Sequence, residues 1–411
     1  MDHLKLLCIF ILLAYPSVLY GQKTVLDSPE NIQFLRNVKE FFVNVFGKTG
    51  TPGNPVFKEA VKMQHVQKQV SNETSFPCDV SGGRSEYVPT SVHKLRPGDI
   101  DIIGAMGDSL TAGFGIFATN LFNIFIENRG VSAIGGGQGT WRDFITLPNI
   151  LKEYNPNLYG YSTEDSFTHQ PESHFNVGEN LAMSRDLPYM ANNLVQRMKS
   201  DPRVDVEKHW KMITIFMGAN DICSDICWTH PPSKAFVNHK NDLIETLRIL
   251  RDNLPRTIIS LLPLPNLMNV LEWKGRPAIC NLFVQIGCSC LVGSPYRKQR
   301  AEFEQILIKW QQLDKEIPSY PEFQKEDFSV VAQTFMLQTN LPTVIPDGDV
   351  DLRYLSADCF HFSQRLNARV ALGLWANLFE ASKEKSTASF DESFFPCPRK
   401  ENPYIATPGN S

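Results

Sequence analysis

The sequence lacks any excess of positive charge. Its 411 residues include 40 Lys and Arg against 44 Asp and Glu, which gives a formal net charge of -4 at pH 7. Proteins that hold the phosphates of DNA or RNA concentrate Lys and Arg on one face. Internal repeats and low-complexity segments are also missing, which argues against solenoids and fibrous arrays. The composition therefore predicts a globular protein with no nucleic-acid partner.

Long hydrophobic runs are missing after residue 20. The run at 6–20 follows Lys5, is interrupted by Pro16 and ends at Gly21. A short apolar run between a basic start and a small residue is typical of a signal peptide, whereas a spanning helix needs about 20 apolar residues. We predict that residues 1–21 are a cleaved signal peptide and that the remaining chain is secreted or lumenal, without a transmembrane segment. A membrane helix at 6–20 is the alternative.

Nine cysteines are present, and removal of the signal peptide with Cys8 leaves eight. An even number in an exported chain favours disulfide bonds over free thiols, although eight cysteines allow 105 pairings. The one local pair that we predict joins Cys223 to Cys227. Asn72 lies in an Asn-Glu-Thr sequon within a polar stretch, and we predict that it is glycosylated on a surface loop.

The part of the chain that follows the signal peptide begins without a regular pattern. Residues 22–98 contain two helical stretches, at 31–45 and 57–70, separated by Gly and Pro. We interpret this part as an N-terminal extension that packs on the main domain. The character changes at Asp99, where an apolar run ended by turn residues predicts a buried strand at 99–106. The main domain is predicted to cover 99–397 and a C-terminal tail 398–411.

Later segments alternate between strand and helix patterns. Apolar runs rich in β-branched residues lie at 210–217, 256–262, 328–335 and, more weakly, 130–134. Helical patterns lie at 187–199, 232–253, 299–317 and 363–382. The alternation predicts an α/β fold with right-handed crossovers and a mostly parallel sheet that has helices on both faces. Ligands of such folds bind at the carboxyl ends of the strands.

A serine stands directly after the first predicted strand. Ser109, within Gly107-Asp-Ser-Leu110, would lie at the carboxyl end of that strand. Gly107 permits a tight turn, and the residues after Ser109 can open a helix whose N-terminus favours negative charge. A serine at such a place is more often a helix N-cap than a nucleophile. By itself, this segment leaves both interpretations open.

Two further segments offer the groups that a nucleophilic serine requires. Asp358 and His361 lie three residues apart before a predicted helix, so the carboxylate can orient the imidazole that takes the serine proton. Asn220 follows the strand at 210–217, and its amide can donate to a tetrahedral oxyanion. Standing alone, each segment is explained as well by a structural histidine or by a strand-to-helix turn.

Together, the three segments resemble the GDSL or SGNH hydrolases, and within them the phospholipase B-type group. The likeness extends over roughly residues 99–397, including the order of the cysteines, and is carried by Gly107-Asp-Ser-Leu110, 210–223 and 358–363. It implies a three-layer, flavodoxin-like α/β/α sandwich with Ser109 as the nucleophile and Asp358 and His361 as its partners. It also implies that Asn220 and the Ser109 backbone N–H line the oxyanion hole.

One departure from the family pattern concerns the oxyanion hole. The family usually has a glycine whose backbone N–H is a further oxyanion donor, and alignment of this block places Leu181, not Gly178, at that position. The backbone N–H of Leu181 can still donate, but the side chain can crowd the hole or the backbone can turn differently. Reduced or redirected activity would follow.

Metal-ligand patterns are weak throughout the sequence. The carboxylates at 347–351 are spaced like those of a calcium loop, but Leu352 stands where that loop requires glycine. His169, Glu172 and His174 do not follow the spacing of zinc ligands. An α/β-hydrolase is also disfavoured, because Thr111 replaces the second glycine of its nucleophile motif. We therefore predict no metal, and no cofactor.

The predicted function is that of a secreted serine ester hydrolase of phospholipase B or lysophospholipase type. Its substrate would be a phospholipid or another acyl ester at a membrane or micelle surface, and the sequence indicates no protein partner. Two alternatives stay open. Leu181 motivates a catalytically weak or silent lipid-binding relative, and a general carboxylesterase that acts on other acyl esters would use the same residues.

Overall fold

The computed structural model describes residue 24 and residues 26–344, 347–388 and 395–411. The predicted signal peptide at 1–21 lies outside the described residues. Within the described ranges, no helix has the length and apolar character needed to cross a membrane.

Four parallel strands form the central sheet, in the order β1-β2-β3-β4. They are β1 Ile100–Gly107, β2 Trp210–Phe216, β3 Thr257–Leu261 and β4 Phe328–Ala332. The register places Gly104 opposite Ile213 and Ile213 opposite Ile259. A separate antiparallel pair consists of β5 Thr343–Val344 and β6 Asp349–Val350. The four strands of the main sheet confirm the strand predictions at 99–106, 210–217, 256–262 and 328–335.

Ten α-helices accompany the strands within the described residues. They are α1 Pro29–Phe46, α2 Pro55–Lys62, α3 Ser109–Ala112, α4 Leu147–Tyr154, α5 Leu187–Ser200, α6 Ser233–Asn253, α7 Ala278–Gly287, α8 Ser289–Val292, α9 Arg300–Glu316 and α10 Gln364–Asn377. The helices predicted at 31–45, 187–199, 232–253 and 299–317 are confirmed.

Two predicted helices are shorter than expected. The stretch predicted at 57–70 ends at Lys62, because Gln64 takes a left-handed conformation with a φ of 59° that stops the helix. The stretch predicted at 363–382 ends at Asn377, where the Lys385 ammonium donates to the carbonyl groups of Asn377 and Glu380. These side-chain contacts replace the hydrogen bonds that further helical turns would supply.

The side chains of each strand alternate between two hydrophobic cores. Ile102 and Ile213 pack in one core with residues of α5 and α6. Ile103 and Met212 pack in the other with residues of α4 and α10. Both faces of the sheet are therefore buried under helices, which explains why the strands read as continuous apolar runs. The fold is a three-layer α/β/α sandwich, as predicted.

The weak strand predicted at 130–134 is wrong. Arg129–Val131 forms a short 3₁₀ turn instead. Gly130 is packed so closely that an added Cβ would lie 2.7 Å from the Cα of Glu164. The buried guanidinium of Arg129 donates to the Ser166 carbonyl group and pairs with Glu127 at 2.7 Å. Close packing and a buried ion pair therefore hold this segment, and no strand ladder is needed.

The N-terminal segment is fastened to the sandwich through α1. Lys39 forms a buried ion pair with Glu127 at 2.5 Å, and the rings of Phe42 and Phe125 stack with their centroids 4.4 Å apart. A buried pair that lost one member would leave an uncompensated charge, which is strongly destabilising. The position of α1 is thus set by both charge and apolar contact. Asn72, the predicted glycosylation site, is exposed.

Four disulfides join the eight cysteines that follow Cys8. They are Cys78–Cys397, Cys223–Cys288, Cys227–Cys290 and Cys280–Cys359. Such a set is typical of an extracellular or lumenal protein.

The predicted Cys223–Cys227 pair is wrong. The π-helical turn Asp221–Asp225 continues helically through Ile226, so these two cysteines lie about one turn apart on the same side. Both therefore face the segment around α8. Cys223 forms its disulfide with Cys288 there, and Cys227 forms a separate one with Cys290.

Removal of the Cys78–Cys397 disulfide is expected to destabilise the fold. This bond joins residues 319 positions apart, so it restricts the unfolded chain strongly. The double variant Cys78→Ala/Cys397→Ala should lose about 3–5 kcal/mol of free energy of unfolding, measured from denaturant midpoints without reductant. A midpoint equal to that of the parent protein would show that the bond contributes nothing to stability.

Candidate active site

A tight turn follows β1 and presents Ser109. Gly107 has a φ of 156°, and an added Cβ would lie 2.2 Å from the Phe216 carbonyl oxygen, so only glycine fits. The Asp108 side chain then accepts a hydrogen bond from the Leu110 N–H at 3.0 Å and caps α3. Ser109 is the first residue of α3 and is 5% exposed. Asp108, not Ser109, is therefore the N-cap, which leaves the serine hydroxyl for other contacts.

A second turn, before α10, carries Asp358 and His361. One carboxylate oxygen of Asp358 lies 2.5 Å from Nδ1 of His361, and the other accepts the backbone N–H groups of Phe360 and His361 at 3.1 and 3.0 Å. Cys359 takes a left-handed φ of 56° between them. Burial alone would raise the pKa of Asp358, but the His361 ring and these hydrogen bonds outweigh it. Its pKa lies below the ordinary value, so Asp358 is a carboxylate at neutral pH.

The two turns meet at the carboxyl edge of the sheet. Nε2 of His361 lies 2.8 Å from Oγ of Ser109, across 252 residues of sequence. Because Nδ1 donates to the Asp358 carboxylate, Nε2 of the neutral ring is an acceptor for the serine proton. The Phe114 ring lies 5.0 Å from the His361 ring, centroid to centroid, and restricts its motion. The structure thus brings together three residues that the sequence singled out.

Asn220 lies at the same edge, after β2. The turn is made possible by Gly218, whose φ is 121° and whose added Cβ would lie 2.8 Å from the Trp310 ring. The Asn220 amide is 8% exposed and donates one hydrogen bond, of 2.9 Å, to the Ala182 carbonyl group. An amide nitrogen has two hydrogens, so a second one is available to a ligand.

The block that contains Leu181 reaches this edge by running beside β1. Its backbone forms hydrogen bonds of 2.9–3.0 Å along the outer edge of the strand. The Ala105 N–H donates to the Phe175 carbonyl group, and the Val177 N–H donates to the Ala105 carbonyl group. The Glu179 N–H donates to the Gly107 carbonyl group. Leu181 has a φ of 67°. The backbone therefore takes the left-handed conformation that favours glycine, although a leucine occupies the position.

Asp108 links two of these turns, a role that sequence reasoning missed. Its carboxylate accepts the Leu110 N–H beside Ser109, and the nearby backbone N–H of Ala219, the neighbour of Asn220, opposes the effect of burial on its pKa. Burial raises the pKa of Asp108 to about 6. Asp108 lies inside the motif Gly107-Asp-Ser-Leu110, so its place next to Ser109 could have indicated this role from the sequence.

A buried polar network beneath the Leu181 block was also missed. Oγ of Ser184 lies 2.9 Å from Nδ1 of His239, and Nε2 of His239 lies 2.8 Å from Asp314. The Ser184 N–H donates to Asp221 at 3.1 Å, and Trp310 stacks on the His239 ring at 3.8 Å. Burial raises the pKa of Asp221 to about 7. Asp221 lies inside the segment 210–223, next to Asn220, but His239 lies on α6 and Asp314 on α9. The two helices share no motif, so no sequence pattern brought this network together.

The candidate metal-ligand segments of the sequence do not form clusters in the part of the chain that the structure describes. No group of three or more His, Cys, Asp or Glu there could hold an ion. In the segment at 347–351, which is spaced like a calcium loop, Asp351 is engaged by the guanidinium of Arg353 at 2.6 Å. His169 lies 3.8 Å from Glu40 of α1. Asp351 and His169 thus contact charged side chains of the same chain.

Comparison with known proteins identifies a matching family and several relatives. The family model for the GDSL-like lipase/acylhydrolase domain matches residues 103–374. Curated relatives named "Phospholipase B1, membrane-associated" are 36% identical in human and 35% in rat, over 331 residues in each case. The matches cover 80% of this chain and 22% of each relative, so the chain spans about a fifth of their length. The chain belongs to the GDSL-like lipase/acylhydrolase family.

Proposed function

We propose that the protein is a serine ester hydrolase that releases fatty acid from glycerophospholipids or lysophospholipids through an acyl-serine intermediate. The observation that carries this proposal is the continuous chain of hydrogen bonds from Ser109 through His361 to Asp358. Membership of the family and the name of the curated relatives support an acyl-ester substrate.

The first step is attack by the serine oxygen on the ester carbonyl carbon. As the bond from Ser109 Oγ forms, its proton passes to Nε2 of His361, and Asp358 stabilises the resulting imidazolium. The imidazolium then returns the proton to the leaving alcohol oxygen as the ester bond breaks. The acyl group remains on Ser109. The low pKa of Asp358 suits this role, because the group stays ionised while His361 changes charge.

Negative charge develops on the former carbonyl oxygen in this step. The backbone N–H of Ser109 lies at the first position of α3, where a helix offers N–H groups without an intrahelical partner. Asn220 contributes the second amide hydrogen, and the Leu181 backbone N–H is the third proposed donor. Each donor of this kind supplies about 3–4 kcal/mol of transition-state stabilisation.

The second step releases the fatty acid. Water attacks the acyl-serine carbonyl carbon, with His361 as the general base, and the same donors stabilise the second tetrahedral intermediate. Collapse of that intermediate frees the carboxylic acid, and His361 returns the proton to Ser109. No metal or cofactor takes part in this scheme.

Domain limits, export and modification belong to the same proposal. We infer that residues 22–98 form an extension on the hydrolase domain at 99–397, followed by the tail at 398–411. The apolar run at 6–20 and the four disulfides support secretion after cleavage of a signal peptide. The exposed sequon at Asn72 supports glycosylation there. A membrane or micelle surface would present the substrate.

Leu181 favours a second candidate function, a lipid-binding protein with little or no turnover. A leucine held at a φ of 67° in the oxyanion block can disturb the donor geometry. The two candidates differ in the reactivity of Ser109, because a silent site does not form a covalent adduct with a fluorophosphonate probe.

Replacement of Ser109 by Ala should abolish turnover without loss of the fold. We expect the rate of fatty acid release from phosphatidylcholine and lysophosphatidylcholine to fall by roughly 10⁴-fold or more, because Nε2 of His361 loses the hydroxyl group that it is proposed to activate. A fluorophosphonate probe should label the parent protein at Ser109 and leave Ser109→Ala unlabelled. Activity that survives the substitution would exclude the serine mechanism. Turnover of short esters without any release from phospholipids would favour the general carboxylesterase.

Replacement of Asn220 by Ala should reduce kcat with little change in KM. The amide is proposed to act on the oxyanion and not on the ground-state ester, so the expected loss in kcat is roughly 10²–10³-fold. Circular dichroism of the variant provides the control for folding, because Asn220 also donates to Ala182. A rise in KM with unchanged kcat would assign Asn220 to substrate binding.

Replacement of Leu181 by Gly tests the departure in the oxyanion block. Glycine takes a positive φ without strain, so we expect kcat to rise up to roughly tenfold while the melting temperature stays within about 3 °C of the parent. Leu181→Ala is the matched control, since it removes the bulk and keeps the strain. An increase in both variants would assign the effect to crowding. A fall in kcat in both would show that the leucine side chain contacts the substrate.

A further inference from the structure

Helix α7 presents an uncovered apolar face. Ile279, Leu282 and Ile286 are 48%, 52% and 53% exposed, and their spacing places them on one side of the helix. Cys280 and Val284 are buried on the opposite side. The helix contains no charged residue. Exposed apolar residues scattered singly are normal, but a contiguous apolar face on one helix marks an interaction site.

The same helix is fastened covalently to the proposed active site. The disulfide between Cys280 and Cys359 holds their Cα atoms 5.4 Å apart. Cys359 lies between Asp358 and His361 in the turn that presents the imidazole to Ser109. The apolar face therefore belongs to an element that packs directly against the catalytic turn.

Basic residues precede and follow α7 in the sequence, and the acidic side chain of Asp349 packs between them, beside Gly275. The segment 272–300 has Glu272 as its one acidic residue, and its five basic residues are Lys274, Arg276, Arg297, Lys298 and Arg300. None of the basic residues lies in α7 itself. An apolar helix face with basic flanks is the pattern of helices that lie at a lipid surface, where each basic residue gains energy from anionic headgroups.

Arg276 has guanidinium nitrogens without a partner. Its Nε and Nη1 atoms are buried and make no hydrogen bond with any described residue. The guanidinium lies 6.0 Å from the centre of the Trp273 ring. Because a buried donor without an acceptor is costly, this arrangement favours the approach of an anionic group such as a phosphate or carboxylate.

We propose that α7 is the helix by which the protein docks on an anionic lipid surface. The side chains of Ile279, Leu282 and Ile286 enter the acyl region, and the basic flanks contact the headgroups. This inference rests on the proposed function, because a phospholipid substrate resides in such a surface. Docking through α7 places the catalytic turn next to the membrane, so a lipid has a short path to Ser109.

Charge argues against a second copy of the chain as the occupant. A symmetric dimer through α7 would bring the five basic residues of each copy towards one another, with Glu272 in the segment and Asp349 beside Gly275 to oppose them. A surface rich in phosphatidylserine supplies the missing negative charge. The observations therefore favour a lipid bilayer over self-association.

The test measures vesicle binding apart from turnover. All variants carry Ser109→Ala, so hydrolysis does not alter the vesicles, and the bound fraction is measured by sedimentation with vesicles of phosphatidylcholine and phosphatidylserine. The variant Ile279→Ser/Leu282→Ser/Ile286→Ser should lose roughly a hundredfold in partition coefficient. All three side chains are exposed, so the fold is not expected to change.

A matched control alters three exposed apolar residues at the opposite edge of the sheet. The control variant is Val80→Ser/Tyr87→Ser/Val88→Ser. Val88 precedes Pro89, whose carbonyl group accepts a hydrogen bond from the Trp210 ring at the start of β2. The partition coefficient of the control variant should stay within about twofold of the parent. Equal losses in the two triple variants would overturn the assignment to α7.

The basic flanks are tested separately. The variant Lys274→Gln/Arg297→Gln/Lys298→Gln should bind phosphatidylserine vesicles more weakly, by about fivefold per charge at low salt. Its binding to vesicles of phosphatidylcholine alone should not change. An equal loss on both kinds of vesicle would contradict the role of charge.

Other outcomes separate docking from catalysis. If the α7 variant binds vesicles as tightly as its parent, the docking proposal is wrong. It is also wrong if light scattering finds a dimer of the parent that the α7 variant converts to monomer. If the protein with an intact Ser109 hydrolyses no lipid while vesicle binding still depends on α7, docking stands and the proposed function fails. On a short monomeric ester, the α7 substitutions in the Ser109 protein should leave kcat/KM unchanged.

Discussion

The parallel strands of the sheet all end at one edge, and the proposed active site depends on this constraint. Since β1 and β2 are neighbours in register, the turns that follow them lie side by side and bring Ser109 close to Asn220. The block with Leu181 reaches the same place because it pairs with the outer edge of β1. Asp358 and His361 come instead from outside the sheet, on the turn before α10. The contact of His361 with Ser109 closes the arrangement.

Buried polar contacts hold these turns in place from below. Asp108 joins the turn of Ser109 to that of Asn220, and Ser184 ties the Leu181 block to His239. Within a core of low dielectric, a polar group without a partner costs more than a satisfied one contributes. These contacts therefore restrict the turns to few other conformations. The groups around Ser109 are preorganised before a substrate binds.

The sequence allowed the sheet, most of the helices and the three motifs to be predicted, because burial on both faces and helical spacing leave local signals. The segment at 130–134 is apolar for another reason, since it packs tightly around the buried Arg129. Disulfide pairing and the contact between His239 and Asp314 depend on how separate helices approach one another. A local pattern does not contain that information. The positive φ of Leu181 was equally hidden, because leucine seldom adopts it.

The disulfide between Cys280 and Cys359 has a consequence for where the protein can work. Cys359 lies between the carboxylate and the imidazole, so the bond that anchors it also holds the turn on which both depend. Thiols stay reduced in the cytosol and are oxidised along the export route. We expect the turn with Asp358 and His361 to become fixed only where the disulfide can form. The proposed phospholipase activity would then be withheld from the membranes of the cell during synthesis.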